Sequence, residues 1–174
     1  MPLVSFEEIK DLLHLEDDSI DDYPALKRIH ASILPSFESF LGRKLIEDSY
    51  TETLWTDGSG EISLKALPIK KVKSVFIDGN EEIEYRITQY GIKVPFKAPG
   101  YQVVIKYSGG FEEIPDEIRS AALLQVAHEY QRHDQIGATS VSNDGGFVKH
   151  PELGLLKEVK RRLQPFKNYA YWGI

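Results

Sequence analysis

The chain has 174 residues, a hydrophobic fraction of 41%, a formal net charge of −6 and no cysteine. These totals predict one folded domain, or one domain with an inserted subdomain, around an ordinary core. They exclude a disulfide framework and a thiolate metal site, and they disfavour sequence-specific DNA binding, which draws on Lys and Arg. There is no apolar run of membrane-spanning length and no signal-peptide pattern, so we expect a soluble intracellular protein.

Two helices are predicted at the start of the chain. Ser5 and Glu8 have the spacing of a capping box, which predicts a short helix to about His14. Apolar residues at three- and four-residue spacing predict a second helix over residues 24–42. Pro35 lies inside this helix, and we therefore expect a kink there, or a break with a restart one residue later.

The negative charge is concentrated in the same region. Residues 1–22 contain eight acidic side chains and one lysine, a net charge of −7, which leaves +1 for the rest of the chain. The most acidic part contains Glu16, Asp17, Asp18, Asp21 and Asp22. It lacks the alternating ligands, central Gly and distant Glu of a known calcium loop. We predict a solvated acidic loop, or the acidic lining of a channel or interface in an assembly.

The pattern changes to short β-type runs from about residue 50 to residue 107. The predicted strands are Thr51–Thr56, Glu61–Leu67, Val72–Ile77, Ile83–Ile87, Gly91–Val94 and Tyr101–Tyr107. Turns rich in Gly, Asp, Asn and Pro separate them, which favours an antiparallel sheet or a small barrel. In the last run, Tyr101, Val103, Ile105 and Tyr107 share one face. A doubly wound nucleotide-binding sheet is not expected, because no βαβ period is present.

Helices return after the β-rich region. A broadly apolar helix is predicted from about Pro115 to Arg132, with Gln125 on its polar side. Residues 137–150 are polar and glycine-bearing, and we predict a mobile loop there. Pro151 is predicted to begin the last helix. The tail, residues 164–174, follows no helical or strand period.

This tail contains four aromatic residues, Phe166, Tyr169, Tyr171 and Trp172. A terminus that frays in water is expected to be polar, whereas aromatic side chains are enriched at interface cores. The tail therefore either folds back on its own domain or docks into a partner. We favour docking.

The sequence contains no pattern that specifies catalysis. His128 and His133 are five residues apart, so on a helix they point about 140° apart and cannot share one metal ion. The position four residues after His128 is Arg132, which repels a cation. The glycine turns lack the Lys-Ser/Thr ending of a phosphate-binding loop, and no Gly-x-Ser-x-Gly elbow is present. We predict no catalytic residue, no metal and no cofactor.

Several segments, in order, resemble one family. They are Ser5–Glu8, Phe40–Arg43, Leu67–Ile69, Val72–Val75, Val104–Gly110, Ile114–Ile118, Ala127–Tyr130 and Leu163–Phe166. The most informative part is the strand that runs through Ser108-Gly109-Gly110 into a Pro-opened helix. Together these segments resemble the head–tail connector (adaptor, or head-completion) proteins of long-tailed phages and prophages.

The resemblance implies an α+β fold, a helical frame of two N-terminal and two C-terminal helices with an inserted antiparallel sheet or small barrel. The corresponding segments are 1–49, 50–111 with the β subdomain, and 112–174. It implies a non-enzymatic virion protein that forms a homo-oligomeric ring of about a dozen subunits. The ring would bind the portal, through the aromatic tail, and carry the tail or the next neck protein. DNA would pass through its centre without sequence-specific binding.

The family further implies a location at the neck of the virion, after assembly in the host cytoplasm, with no membrane. Three other functions stay open at this stage. One is another neck or tail-completion protein of the same architecture. The others are a small hydrolase or metal-dependent enzyme built on the β region and, less favoured by the charge, a nucleic-acid-binding regulator.

Overall fold

The computed structural model describes residues 2–16, 19–82, 84–95, 98–133 and 154–169. These residues form an α+β fold of four helices and two antiparallel sheets, which confirms the predicted fold class. The helices are α1 (Phe6–Leu13), α2 (Pro24–Leu41), α3 (Asp116–Arg132) and α4 (Lys157–Leu163). The strands are β1 (Asp48–Trp55), β2 (Glu61–Ser63), β3 (Ile69–Ile77), β4 (Asn80–Glu81), β5 (Arg86–Ile87), β6 (Gly91–Lys93) and β7 (Gln102–Gly109). The predicted mobile loop at 137–150 lies outside the described residues.

The chain divides into two compact units. The helical unit comprises residues 1–37 and 116–165, and the β unit comprises residues 38–115 and 166–174. The C-terminal residues therefore belong to the β unit, although a helix of the other unit precedes them. The domain segments 1–49, 50–111 and 112–174 remain a proposal from the sequence. None of the helices in the described residues is long and apolar enough to cross a membrane.

In the helical unit, α1 begins with the predicted capping box. The Glu8 backbone N–H donates to Ser5 Oγ at 3.2 Å, and the Ser5 N–H donates to Glu8 Oε2 at 2.8 Å. Glu8 also pairs with Arg119 of α3. His14 ends the helix in the left-handed conformation, with φ of 53°. The cap thus fixes where α1 begins and connects it to α3.

Of the two outcomes expected at Pro35, the break is wrong, because α2 continues through this residue, and the kink stays a prediction. An internal proline costs about 3 kcal/mol through a lost hydrogen bond and a clash. Ile33 and Phe37 on either side of Pro35 are buried, and each contributes about 1.5–3 kcal/mol. Their burial is enough to keep this turn helical.

Gln125 of α3 is also not where the sequence places it. It is fully buried rather than on a polar surface. Its Nε2 donates to the Gly154 carbonyl at 3.1 Å and to Glu129 Oε1 at 2.7 Å, and its Oε1 accepts from the Leu156 N–H at 3.0 Å. The last helix begins at Lys157, after Gly154 (φ 83°) and the extended Leu156. Pro151, the predicted start, lies outside the described residues.

The β unit has one hydrophobic core with side chains from both sheets. The four-stranded sheet has the order β1-β7-β3-β4 and the three-stranded sheet has the order β2-β6-β5. Val103, Ile105 and Tyr107 of β7 are buried, as their alternation predicts, whereas Tyr101 precedes the strand and is exposed. Ile62 and Ile92 of the second sheet belong to the same core.

β2 is shorter than the predicted strand Glu61–Leu67. The Leu64 N–H still donates to the Tyr90 carbonyl at 2.9 Å, but side chains accept from the next two N–H groups. The Lys65 N–H donates to Glu52 Oε1 at 2.9 Å, and the Ala66 N–H donates to the Tyr107 hydroxyl at 2.9 Å. In the predicted run Ile83–Ile87 the strand β5 begins at Arg86, and Ile83 lies outside the described residues. A short strand that was not predicted, β4, forms a hairpin with β3 through Asp78 and Gly79, both with positive φ.

Candidate assembly surfaces

The C-terminal segment is anchored inside the β unit by Asn168. This residue is 1% exposed. Its backbone N–H donates to the Leu41 carbonyl at 2.9 Å, and its Nδ2 donates to the Leu64 carbonyl at 3.1 Å. A buried amide with two such bonds is costly to remove. Residue 168 is therefore a fixed point in the C-terminal segment.

Arg43 forms a second link to the C-terminal segment. Its Nη1 donates to the Phe166 carbonyl at 3.3 Å, and its Nη2 donates to the Leu67 carbonyl. The guanidinium also lies over the Phe111 ring. Burial lowers the pKa of Arg43 to about 10, so the side chain stays cationic at neutral pH.

The four aromatic residues of the tail have different surroundings. Phe166 is half-buried and meets Phe111 edge to face, with ring centroids 6.2 Å apart. Tyr169 directly follows the buried Asn168 and is 54% exposed. Tyr171 and Trp172 lie outside the described residues. The first part of the tail therefore packs on its own unit, and the chain reaches the surface at Tyr169.

The acidic residues of the predicted channel or interface are only partly described. Glu16 and Asp21 are exposed, and Asp21 pairs with Lys27 of α2. The Asp21 N–H donates to Ser19 Oγ at 3.2 Å, which caps the short 3-10 turn. Asp17 and Asp18 lie outside the described residues, and the side chain of Asp22 is likewise not described.

The sequence reading missed a lysine-bearing face on the four-stranded sheet. We call it the outer sheet face and define it by the outward residues of three strands. These are Ser49, Thr51, Thr53 and Trp55 of β1, Gln102, Val104, Lys106 and Ser108 of β7, and Lys71, Lys73, Ser74 and Phe76 of β3. Three of these residues are lysines and none is acidic. In the sequence this face is marked only by the lysines of the segments IKKVKSV and VVIKYS. The pairing register of β3 and β7 is needed to show that these lysines share one face.

The two histidines of α3 make contacts that do not suit a metal site. His128 Nε2 lies 3.2 Å from Arg132 Nη1, so a cationic side chain occupies the position that a metal ion bound to this nitrogen would take. His133 stacks on Tyr130, with ring centroids 4.7 Å apart. In the described part of the chain, no group of three or more acidic or histidine side chains is placed to hold a metal ion.

Each unit has a shallow cavity among its described residues. One, of about 410 Å³, belongs to the β unit and is lined by Tyr85, Arg86 and Pro95, among others. The other, of about 370 Å³, belongs to the helical unit and is lined partly by Glu158, Arg161 and Arg162. Both arginines pair with Glu158 there, so these charges are satisfied within the chain. The Ser120 hydroxyl also lines this second cavity, where it donates to the Glu117 backbone carbonyl at 3.2 Å and accepts from Arg162 at 3.0 Å.

The fold is similar to that of solved neck proteins. One is a chain from the neck of an empty GTA (gene transfer agent) particle with C6 symmetry. It has a TM-score of 0.59 and 17% sequence identity, over 95% of this chain and 89% of that chain. Another comes from the neck of a native GTA particle with C12 symmetry, with a TM-score of 0.51 and 18% identity over 90% and 86% of the two chains.

No protein-family model matches the sequence. No curated protein matches it either. At such low identity, the similarity to the neck chains establishes a shared fold along nearly the whole chain.

Proposed function

We propose that this protein is a structural, non-enzymatic component of the neck of a phage-like particle, where it acts as a head–tail connector. The observation that carries the proposal is the shared fold over 95% of the chain with a neck protein. A match of this extent includes both units and not only the common features of a small sheet. We place the protein at the virion neck, after assembly in the host cytoplasm and without a membrane.

In this role the protein forms a homo-oligomeric ring with a central passage for DNA. The neck structures it resembles have C6 and C12 symmetry, which supports a cyclic arrangement. The formal charge of −6 suits a passage through which DNA slides without sticking, since phosphate binding depends on Lys and Arg. Acidic residues of the segment 16–22 are candidates for lining this passage or a subunit interface.

We further propose that the end of the tail docks into the portal protein. Asn168 fixes the chain and Tyr169 follows it onto the surface, so Tyr171 and Trp172 continue from an anchored point. Aromatic side chains with this placement suit a partner pocket, because they bury a large area at low entropic cost. Phe166 contributes indirectly by packing on its own unit.

Truncation tests this docking. Removing residues 165–174 would also remove the buried Asn168, so deletion of residues 170–174 is the better variant. We expect this deletion, and Tyr169→Ala, to weaken binding to purified portal rings at least about tenfold with an unchanged melting temperature. Tyr90→Ala, at an exposed tyrosine elsewhere, is the matched control. Unchanged portal binding by both tail variants would contradict the docking proposal.

The second candidate is another neck or tail-completion protein that contacts a different neighbour. The fold similarity favours it equally, since the related structures are described as necks without a layer being specified. Pull-down of portal, tail-completion and tail proteins with the tagged chain separates the two. Capture of portal supports the connector, and capture of a tail-side protein alone supports the second candidate.

A further inference from the structure

The outer sheet face is positively charged in a negatively charged protein. Its register places Lys71 opposite Ser108 and Lys106 opposite Ser74, so these two lysines lie in successive rows of the same face. Lys73 extends across the same face to donate to Ser49 Oγ at 2.9 Å. All three lysines are exposed, and none forms an ion pair within the described residues. Acidic residues lie only at its margins. Asp48 accepts from the Ser49 N–H at 2.6 Å, Asp78 accepts from the Gln102 N–H at 3.0 Å, and Glu81 lies opposite Phe76 on β4.

The exposed side of α1, together with Glu16 three residues beyond the helix, is negatively charged. Glu7 and Asp11 are one helical turn apart, with Cβ atoms about 5–6 Å from each other, and both are exposed. Glu16 lies just beyond the helix and is exposed too. In the described part of the chain these three carboxylates form no ion pair. Leu12, beside Asp11, is 47% exposed and adds an apolar contact.

We infer that the outer sheet face of one copy of this chain binds the α1 side of a second copy, with Lys71 and Lys106 facing Glu7, Asp11 and Glu16. The inference rests on the proposed function and deepens it, because it names the contact between neighbouring subunits of the ring. The two surfaces differ, so the contact is heterologous, and repeated around a rotation axis it closes into a ring. Complementary charge steers such contacts and fixes their register.

The chemistry of the outer sheet face favours a protein surface over nucleic acid. Trp55 is 65% exposed, and Phe76 and Val104 are partly exposed beside the lysines. An apolar strip next to the cations matches a partner that offers both carboxylates and an exposed Leu12. A DNA backbone offers charge alone, and the net charge of the chain opposes it.

A charge swap tests the contact. The face variant is Lys71→Glu with Lys106→Glu, and the segment variant is Asp11→Lys with Glu16→Lys. The segment variant leaves the capping box intact, and it places a cation near the helix C-terminus, where it is favourable. The matched control, Arg28→Glu with Lys160→Glu, changes net charge as the face variant does, at exposed positions elsewhere.

Self-association of the full chain is measured by sedimentation velocity at low and high salt, with thermal unfolding to verify the fold. We expect each variant alone to associate at least about tenfold more weakly than the wild type, and the control to stay within about threefold. An equimolar mixture of the two variants restores association, because each then meets a complementary surface. High salt weakens the wild-type contact.

Three outcomes would overturn the inference. The first is a wild-type ring whose stability is unaffected by either variant, which leaves the proposed neck function standing. The second is a wild-type chain that stays monomeric at high concentration, after which the proposed function is judged on portal binding alone. The third is salt-dependent binding of duplex DNA that the face variant abolishes while self-association persists, which would assign the face to nucleic acid.

Discussion

Arg43 and Phe111 form a cation–π contact in the β unit, with 4.8 Å between the Arg43 Cζ and the centroid of the Phe111 ring. The same guanidinium donates to the carbonyls of Leu67 and Phe166. One side chain therefore connects the residues after α2, the start of β3 and the C-terminal segment. Because the guanidinium is largely buried, its positive charge stabilises the fold only while all of these partners are in place.

Replacing Arg43 by Met is expected to lower the free energy of unfolding by about 2–3 kcal/mol, because charged hydrogen bonds and the ring contact are lost together. Urea unfolding measures this loss. As a control, Arg86→Met, at an exposed arginine of β5, should change the free energy of unfolding by less than about 0.5 kcal/mol. Equal effects of the two substitutions would show that Arg43 is not a structural link.

Gly110, where β7 leaves the sheet, is expected to tolerate no side chain. Its φ is 105°, and a Cβ there would lie 2.3 Å from the Ile46 carbonyl oxygen. Gly110→Ala should therefore cost more than about 3 kcal/mol, through clash and backbone strain together. Gly100 also has a positive φ, but no atom lies within 4 Å of the position that a Cβ would take there. Gly100→Ala should therefore cost only about 1 kcal/mol. If chemical denaturation gave the same free energy of unfolding for Gly110→Ala and Gly100→Ala within error, the predicted clash at Gly110 would be contradicted.

Gln125→Ala is expected to destabilise the helical unit by about 2–3 kcal/mol, since it leaves the Leu156 N–H and the Gly154 carbonyl without a partner. Gln125→Glu keeps the acceptor for Leu156 but loses the donor to Gly154, so its effect should be comparable or larger if the new carboxylate stays ionised. Hydrogen exchange at the Leu156 amide measures the local consequence. Unchanged protection there in Gln125→Ala would be evidence against the network.

The contribution of Glu8 to stability should depend on pH. The Ser5 backbone N–H holds the pKa of Glu8 below its usual value of 4.5, and Arg119 adds to this effect against the cost of burial. Because the folded pKa is the lower one, the stabilisation is present above about pH 4.5 and is lost as pH falls through the folded pKa. Glu8→Gln should cost about 0.3–1 kcal/mol at neutral pH, because Gln can keep the N3 hydrogen bond of the capping box but loses the negative charge near the helix N-terminus.

The free energies of unfolding of the wild type and of Glu8→Gln should become equal at acidic pH. Urea unfolding at several pH values measures both. Glu7→Gln, on the same first turn, controls for the loss of one negative charge from the helix N-terminus. A difference that persisted unchanged to strongly acidic pH would mean that the cap does not depend on the ionised carboxylate.

Local patterns made much of the fold predictable. The capping box of Ser5 and Glu8 and the alternation of Val103, Ile105 and Tyr107 each depend on neighbours within a few residues. Gln125 was misplaced because a helical wheel assigns a polar residue to water and cannot include a distant partner. Its burial depends on the segment around Gly154, 29 residues further along the chain.

The assembly surfaces were less accessible from the sequence. Arg43 and Phe166 are 123 residues apart, and nothing in either local pattern connects them. The lysines of the outer sheet face become neighbours only through the register of β7 and β3, which shifts twice between Ile69 and Ser74. A shift of one residue moves a side chain to the opposite face, so alternation alone cannot assign this surface.

The most direct test of the central claim is electron microscopy of the purified protein mixed with portal rings. We expect a second ring, formed by this protein, stacked on the portal and coaxial with its channel. Protein that remains monomeric and leaves the portal rings bare would contradict it.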